Sequence, residues 1–160
     1  MTGAIARTLR QTKPFPSPEA EVLLGILLLA SRVAEPWERH LKATTGITTG
    51  QYNVLRILRG THPEPLACSA IAERLIDRDP DMTRLLDRLE KGGLVRRERG
   101  LGDRRVVEVR ITPKGLRLLS QLDDDAVRGP KVLLGPLGPG RLREFKSLIE
   151  AALEGLEQLP

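Results

Sequence analysis

The chain has 160 residues, enough to bury a core as one domain of ordinary size, and a formal net charge of +5 at pH 7. Its most apolar run, VLLGILLLA from Val22 to Ala30, falls well short of the roughly 20 residues of a membrane-spanning helix, and its one cysteine, Cys68, excludes an internal disulfide. The expected setting is soluble and cytoplasmic, with no membrane partner.

The first 16 residues hold Arg7, Arg10 and Lys13 without an acid, and their Pro and Thr content predicts a flexible basic arm over residues 1–16. Ser17 can cap a helix that carries Pro18 at its first position. Val22, Leu23, Ile26, Leu27, Ala30, Val33, Ala34, Trp37 and Leu41 then recur at spacings of three and four, which predicts a helix to about Thr44, bent at Pro36. Leu24, Leu28 and Leu29 fill its opposite face, so the helix needs a partner on both sides. Residues 17–47 are read as an N-terminal dimerisation helix.

Residues 48–112 form a compact series. Thr48 and Gln51 have capping-box spacing, and Val54, Leu55 and Leu58 give a short helix stopped at Gly60. HPEPLA reads as a loop. A second short helix starts at Ser69, with Ala70, Ile71, Ala72, Leu75 and Ile76 apolar, and ends near Asp77. Asp79 is positioned to cap a third helix, with Pro80 at its first position and Gly92-Gly93 as its stop. Met82, Leu85, Leu86 and Leu89 make its buried stripe, leaving Thr83, Arg84, Asp87 and Arg88 outward, with Asp81 near its start.

After Gly93 the period turns from helical to alternating. One strand begins at Val95; another sets Val107, Val109 and Ile111 against Val106, Glu108 and Arg110, across the turn RGLGD. Short helix, tight turn, helix and basic hairpin make the plan of a winged helix-turn-helix. Arg96, Arg97 and Arg99 lie along the first strand, and Asp103, Arg104 and Arg105 at or just after the tip. Between Arg78 and Arg117 there are 12 basic and 7 acidic side chains, net +5, so the rest of the chain sums to zero. Such a concentration points to a polyanion, a solvated face being the plainer alternative. The second helix of the pair suits the major groove, and a hairpin with arginines at its tip can reach the adjacent backbone or minor groove.

Residues 113–160 return to helices. Thr112 and Pro113 cap a helix carrying Leu116, Leu119, Leu122 and Ala126; Gly129-Pro130 predicts a kink, and GPLGPG, Gly135 to Gly140, a loop. Leu142, Phe145, Ile149, Ala152 and Leu156 then repeat at 3, 4, 3 and 4, the seam of two helices packing lengthwise. With Leu23 and Leu27 they are the candidate dimerisation residues; an intramolecular helical core is the alternative. The fold class expected is mainly α with a small antiparallel β-hairpin, a winged helix-turn-helix core flanked by N- and C-terminal dimerisation helices.

ITTGQYNVLRIL, PDMTRLLDRLEKGGLVRRER and above all DRRVVEVRITPKG together resemble the MarR family of bacterial transcriptional regulators. The match is strong from about Thr48 to Leu122. The resemblance implies a homodimer whose terminal helices form a common layer, with two winged domains reading a pseudo-palindromic operator in double-stranded DNA, usually as a repressor. It implies a small phenolic or lipophilic effector as a candidate release signal. It also implies that Arg105 enters the minor groove and that Asp103, two residues earlier, orients it. Asp77, Asp79 and Asp81 depart from this plan, crowding acids at the start of the recognition helix where phosphates would repel them.

An enzyme is not expected. His40 and His62 lie in different elements without a ligand-spaced Cys or carboxylate, Asp123 to Asp125 point in different directions on a helix, and the wing glycines serve a turn, not a phosphate loop. No metal or cofactor is expected either. The competing reading is a winged-helix protein-interaction module whose basic face meets an acidic partner.

Overall fold

The computed structural model describes residues 3–76, 81–100 and 106–158. The chain divides into two compact units, Met1–Gly115 and Leu116–Pro160. Among the described residues no helix is long and apolar enough to cross a membrane.

In the first unit the N-terminal arm contains a short helix, α1 (Ala4–Thr8), against expectation. Ala6 is buried and the Ile5 side chain lies over Gly25 of the next helix, so local apolar contacts hold this segment despite its basic composition. That next helix, α2 (Pro18–Thr45), runs through Pro36 and starts as the sequence indicates: the Ser17 hydroxyl accepts from the Ala20 N–H at 3.2 Å. Of its residues only Leu41 is buried.

Helix α3 (Thr49–Thr61) carries the full capping box, with the Gln51 N–H donating to Thr48 Oγ1 and the Thr48 N–H donating to Gln51 Oε1. Gly60 does not stop it. Residues expected in a loop supply a short strand, β1 (Leu66–Ala67), before α4 (Cys68–Ala72). Ile71 is fully buried, Leu75 is buried in the turn that follows, and Ile76, read as part of the apolar face, is exposed. Helix α5 (Met82–Lys91) leads through a turn at Gly93, whose φ of +68° suits glycine, into β2 (Val95–Arg99) and β3 (Val107–Ile111).

The three strands are antiparallel in the order β1-β3-β2, so β2 is an edge strand. Val95 faces Ile111 and Arg97 faces Val109. Helix α3 lies against α5 and β3, and Val54, Leu55 and Leu58 join Ile71, Leu86, Leu89, Val95 and Val109 in the core.

The last helix to begin in this unit, α6 (Pro113–Ser120), starts where the chain returns to the base of the hairpin. Thr112 Oγ1 accepts from the Gly115 N–H at 3.1 Å and donates to the Gly93 carbonyl at 2.7 Å, while Lys114 Nζ donates to the Gly92 carbonyl at 2.8 Å. Gly115 fits this junction because it has no Cβ; one would overlap the Leu94 carbonyl oxygen and lie 2.8 Å from Ile111 Cγ1. Since part of that wall is backbone, Gly115→Ala is expected to destabilise the protein by about 1–3 kcal/mol. Urea denaturation measures it directly.

The second unit contains the rest of α6, then α7 (Asp123–Leu134), a 3₁₀ turn at Gly135–Leu137 and α8 (Gly138–Glu157). Leu119 and Leu122 are fully buried. Pro130 lies inside α7. The GPLGPG segment is not a loop: its prolines occupy first-turn positions of the 3₁₀ turn and of α8, where the missing N–H costs nothing.

Candidate nucleic-acid interface

Helix α5 begins at Met82, not at Pro80. Its cap is Asp81, whose Oδ1 accepts from the Arg84 N–H at 3.1 Å while Oδ2 pairs with Arg84 Nε at the same distance. Asp81, expected on the DNA-facing surface, therefore has a local structural task, and the cap assigned to Asp79 is corrected; Asp79 and Pro80 lie outside the described residues.

Leu86 and Leu89 are buried, Met82 and Leu85 half-buried, and Thr83, Arg84 and Arg88 exposed, as the apolar stripe predicts. Arg84, Arg88 and Lys91 are spaced by four and three and line one exposed, cationic face.

Asp87 differs from the other outward candidates. It is half-buried, and its Oδ1 takes a 2.6 Å hydrogen bond from the Arg97 guanidinium. Glu90 binds the same arginine twice more: Oε2 accepts from Arg97 Nε at 2.8 Å, and Oε1 accepts from the Arg97 backbone N–H at 2.9 Å. The Arg97 side chain is 28% exposed. Arg97, one of the three candidate DNA-binding arginines along the first wing strand, is engaged by two carboxylates of α5. The Arg97 side chain and backbone N–H hold Glu90 below the usual carboxylate range. A carboxyl lowered in this way contributes stability above its unfolded pKa and loses it as pH falls through the folded one, so Glu90 acts throughout the neutral range. Glu90 was not among the residues read from the sequence; its spacing of three from Asp87 was the available signal.

The other strand arginines are accessible. Arg96 pairs with Glu98 at 2.9 Å with a well-exposed side chain, and Arg99 is exposed at the end of β2. Asp103, Arg104 and Arg105 lie outside the described residues.

Of the candidate dimerisation residues, Leu23 and Leu27 are each 58% exposed and Leu156 is 62% exposed. Ile149 and Ala152 are also exposed, and Leu142 and Phe145 are half-buried. On α2, Val22 and Ile26 of the apolar pattern are exposed too; Val132 on α7 and Leu148 and Leu153 on α8, which lie outside the patterns read from the sequence, are exposed as well. Neither α7 nor α8 has a buried residue.

Cys68 is half-buried at the start of α4. Burial raises its thiol pKa, opposed by the positive charge of Arg97. It is therefore a protonated thiol at neutral pH and a poor nucleophile. Cys68→Ser is expected to bind DNA like the unmodified protein, with and without peroxide; a peroxide response present only in the unmodified protein would contradict this.

Residues 47–107 match the family model described as MarR family. The chain is 38% identical to a MarR transcription factor from Planctomyces limnophilus, whose crystal structure it matches with a TM-score of 0.63 over 86% of this chain and 99% of that one. It shares its fold with Sco3205, a MarR family transcriptional regulator from Streptomyces coelicolor solved in complex with DNA, at 21% identity and a TM-score of 0.78 over 91% of this chain and 92% of that one. It is also 24% identical over 146 residues to the HTH-type transcriptional regulator PecS of Dickeya dadantii (strain 3937), spanning 91% of this chain and 88% of that relative.

Proposed function

Because this chain belongs to the MarR family of transcription regulators, we propose that it acts as a homodimeric repressor on a pseudo-palindromic operator. The observation that carries this reading is the cationic face of α5, where Arg84 and Arg88 stand exposed above a helix whose other side is packed into the core. Two protomers joined through their terminal helices present two such faces, and two-fold protein symmetry calls for two-fold sequence symmetry in the DNA.

The contacts divide by chemistry. Thr83, Arg84 and Arg88 face base edges in the major groove, where an arginine can bind guanine through two hydrogen bonds. Arg96 and Arg99 meet phosphates, which adds affinity without sequence preference. By the resemblance of its wing to the family's, Arg105 takes the minor groove with Arg104 beside it and Asp103 orienting it. A small lipophilic or phenolic compound that lowers operator affinity completes the proposal.

The test is a titration of the purified protein, at several salt concentrations, against DNA from upstream of its own coding region and a scrambled duplex of equal length. The expected result is tighter binding to the native sequence, with affinity falling linearly on a log–log salt plot at a slope near 0.9 per phosphate neutralised. Equal, weak binding to both duplexes together with tight binding to an acidic protein would favour the interaction-module reading.

A further inference from the structure

The sheet order leaves β2 with one edge open. On its inner side the Thr112 N–H donates to the Leu94 carbonyl and the Gly100 N–H donates to the Val106 carbonyl. Antiparallel pairing alternates, so Arg96 and Glu98 bond inward while the Arg97 N–H points off the open edge. An unpaired edge N–H invites pairing with another chain or water. Here Glu90 Oε1 accepts it at 2.9 Å, and its other oxygen accepts from Arg97 Nε. Asp87, one turn earlier on α5, takes the far end of the same guanidinium at 2.6 Å. Three hydrogen bonds thus run from one residue of the wing strand to one face of the recognition helix. That same helix must approach phosphates, yet Asp87 and Glu90 are acids; Arg97 supplies the charge that offsets them.

We propose that Arg97 is a positioning residue, which with Glu90 and Asp87 clamps the wing to the recognition helix so that helix and hairpin tip meet the DNA at a fixed separation. This rests on the DNA-binding reading of the preceding section. A clamp and a phosphate contact make opposite predictions. If Arg97 touched a phosphate, Arg97→Ala would lower the salt slope by about one, and removing an acid with Glu90→Gln or Asp87→Asn would tighten binding. If Arg97 positions, all three variants weaken operator binding by on the order of tenfold or more, with the salt slope unchanged. Arg97→Lys then fails to restore affinity, because an ammonium cannot reproduce the planar guanidinium's simultaneous bonds to both carboxylates.

The experiment measures operator affinity against salt for these variants, with Arg96→Ala as the phosphate-contact comparison expected to lower the slope by about one. Hydrogen exchange at the Arg97 amide, read without DNA in the full chain, accompanies it. Glu90→Ala should increase exchange there by at least tenfold while the buried amides of α3 stay protected. A lower slope for Arg97→Ala, tighter binding by Glu90→Gln, or an Arg97 amide indifferent to Glu90→Ala would each overturn the clamp. If the unmodified protein binds no DNA, the functional reading fails separately, and the exchange measurement still decides whether Glu90 holds the strand.

Discussion

Leu142→Gln, Phe145→Gln and Ile149→Gln introduced together are expected to convert the protein from a dimer to a folded monomer and to abolish operator binding. The three side chains lie on α8, none of whose residues is buried within the protomer, so the change removes little from the protomer's own core. A fully buried leucine, isoleucine or phenylalanine contributes about 1.5–3 kcal/mol, and three such losses on each of two partners raise the dimer dissociation constant by on the order of 10³-fold or more, even if burial is partial. Sedimentation at micromolar concentration reads the assembly, and circular dichroism checks that the helices persist. A triple variant that stays dimeric would place the interface elsewhere.

The second large effect is expected from Arg84→Ala combined with Arg88→Ala. Both side chains are exposed, and their spacing of four puts them on the same face of α5. A base-contacting arginine is worth about 1–3 kcal/mol of discrimination, so the pair should weaken operator binding by on the order of 10²-fold or more while binding to a scrambled duplex falls much less. Arg84 also pairs with the Asp81 cap, but that pair is solvent-exposed and contributes little to folding. The thermal stability of the double variant should therefore match that of the unmodified protein. Equal losses on both duplexes would mean that these arginines contact phosphates rather than bases.

Much of this arrangement is legible in the residues. Ser17-Pro18 and the Thr48–Gln51 box mark helix starts because each satisfies orphan N–H groups locally, and the structure shows both caps. The stripe of Leu86 and Leu89 and the alternation of Val109 and Ile111 follow from helix and strand periods. What escapes the sequence depends on distant partners. Strand β1 has two residues, too few to alternate, and exists because β3 offers it an edge. Residue type does not separate Asp81 from Asp79, the cap expected from the sequence, and it is a backbone geometry no pattern shows that sets the Asp81 carboxylate against the Arg84 N–H. Arg97 and Arg96 are adjacent and identical in type, yet the pleat turns one toward Glu90 and Asp87 and leaves the other in solvent. Exposed apolar residues on α2 and α8 carry the opposite lesson: the pattern is visible in the sequence, and their exposure in the single chain is the surface that the proposed homodimer would cover.

Whether a dimer reads a two-fold DNA site is decided by footprinting the purified protein on DNA upstream of its own coding region while counting protomers per bound duplex. The expected result is a protected segment containing two inverted half-sites, their centres about 10–10.5 base pairs or a multiple apart, occupied by two protomers. A single half-site bound by one protomer, or no protected segment at protein concentrations that saturate nonspecific DNA, would contradict it.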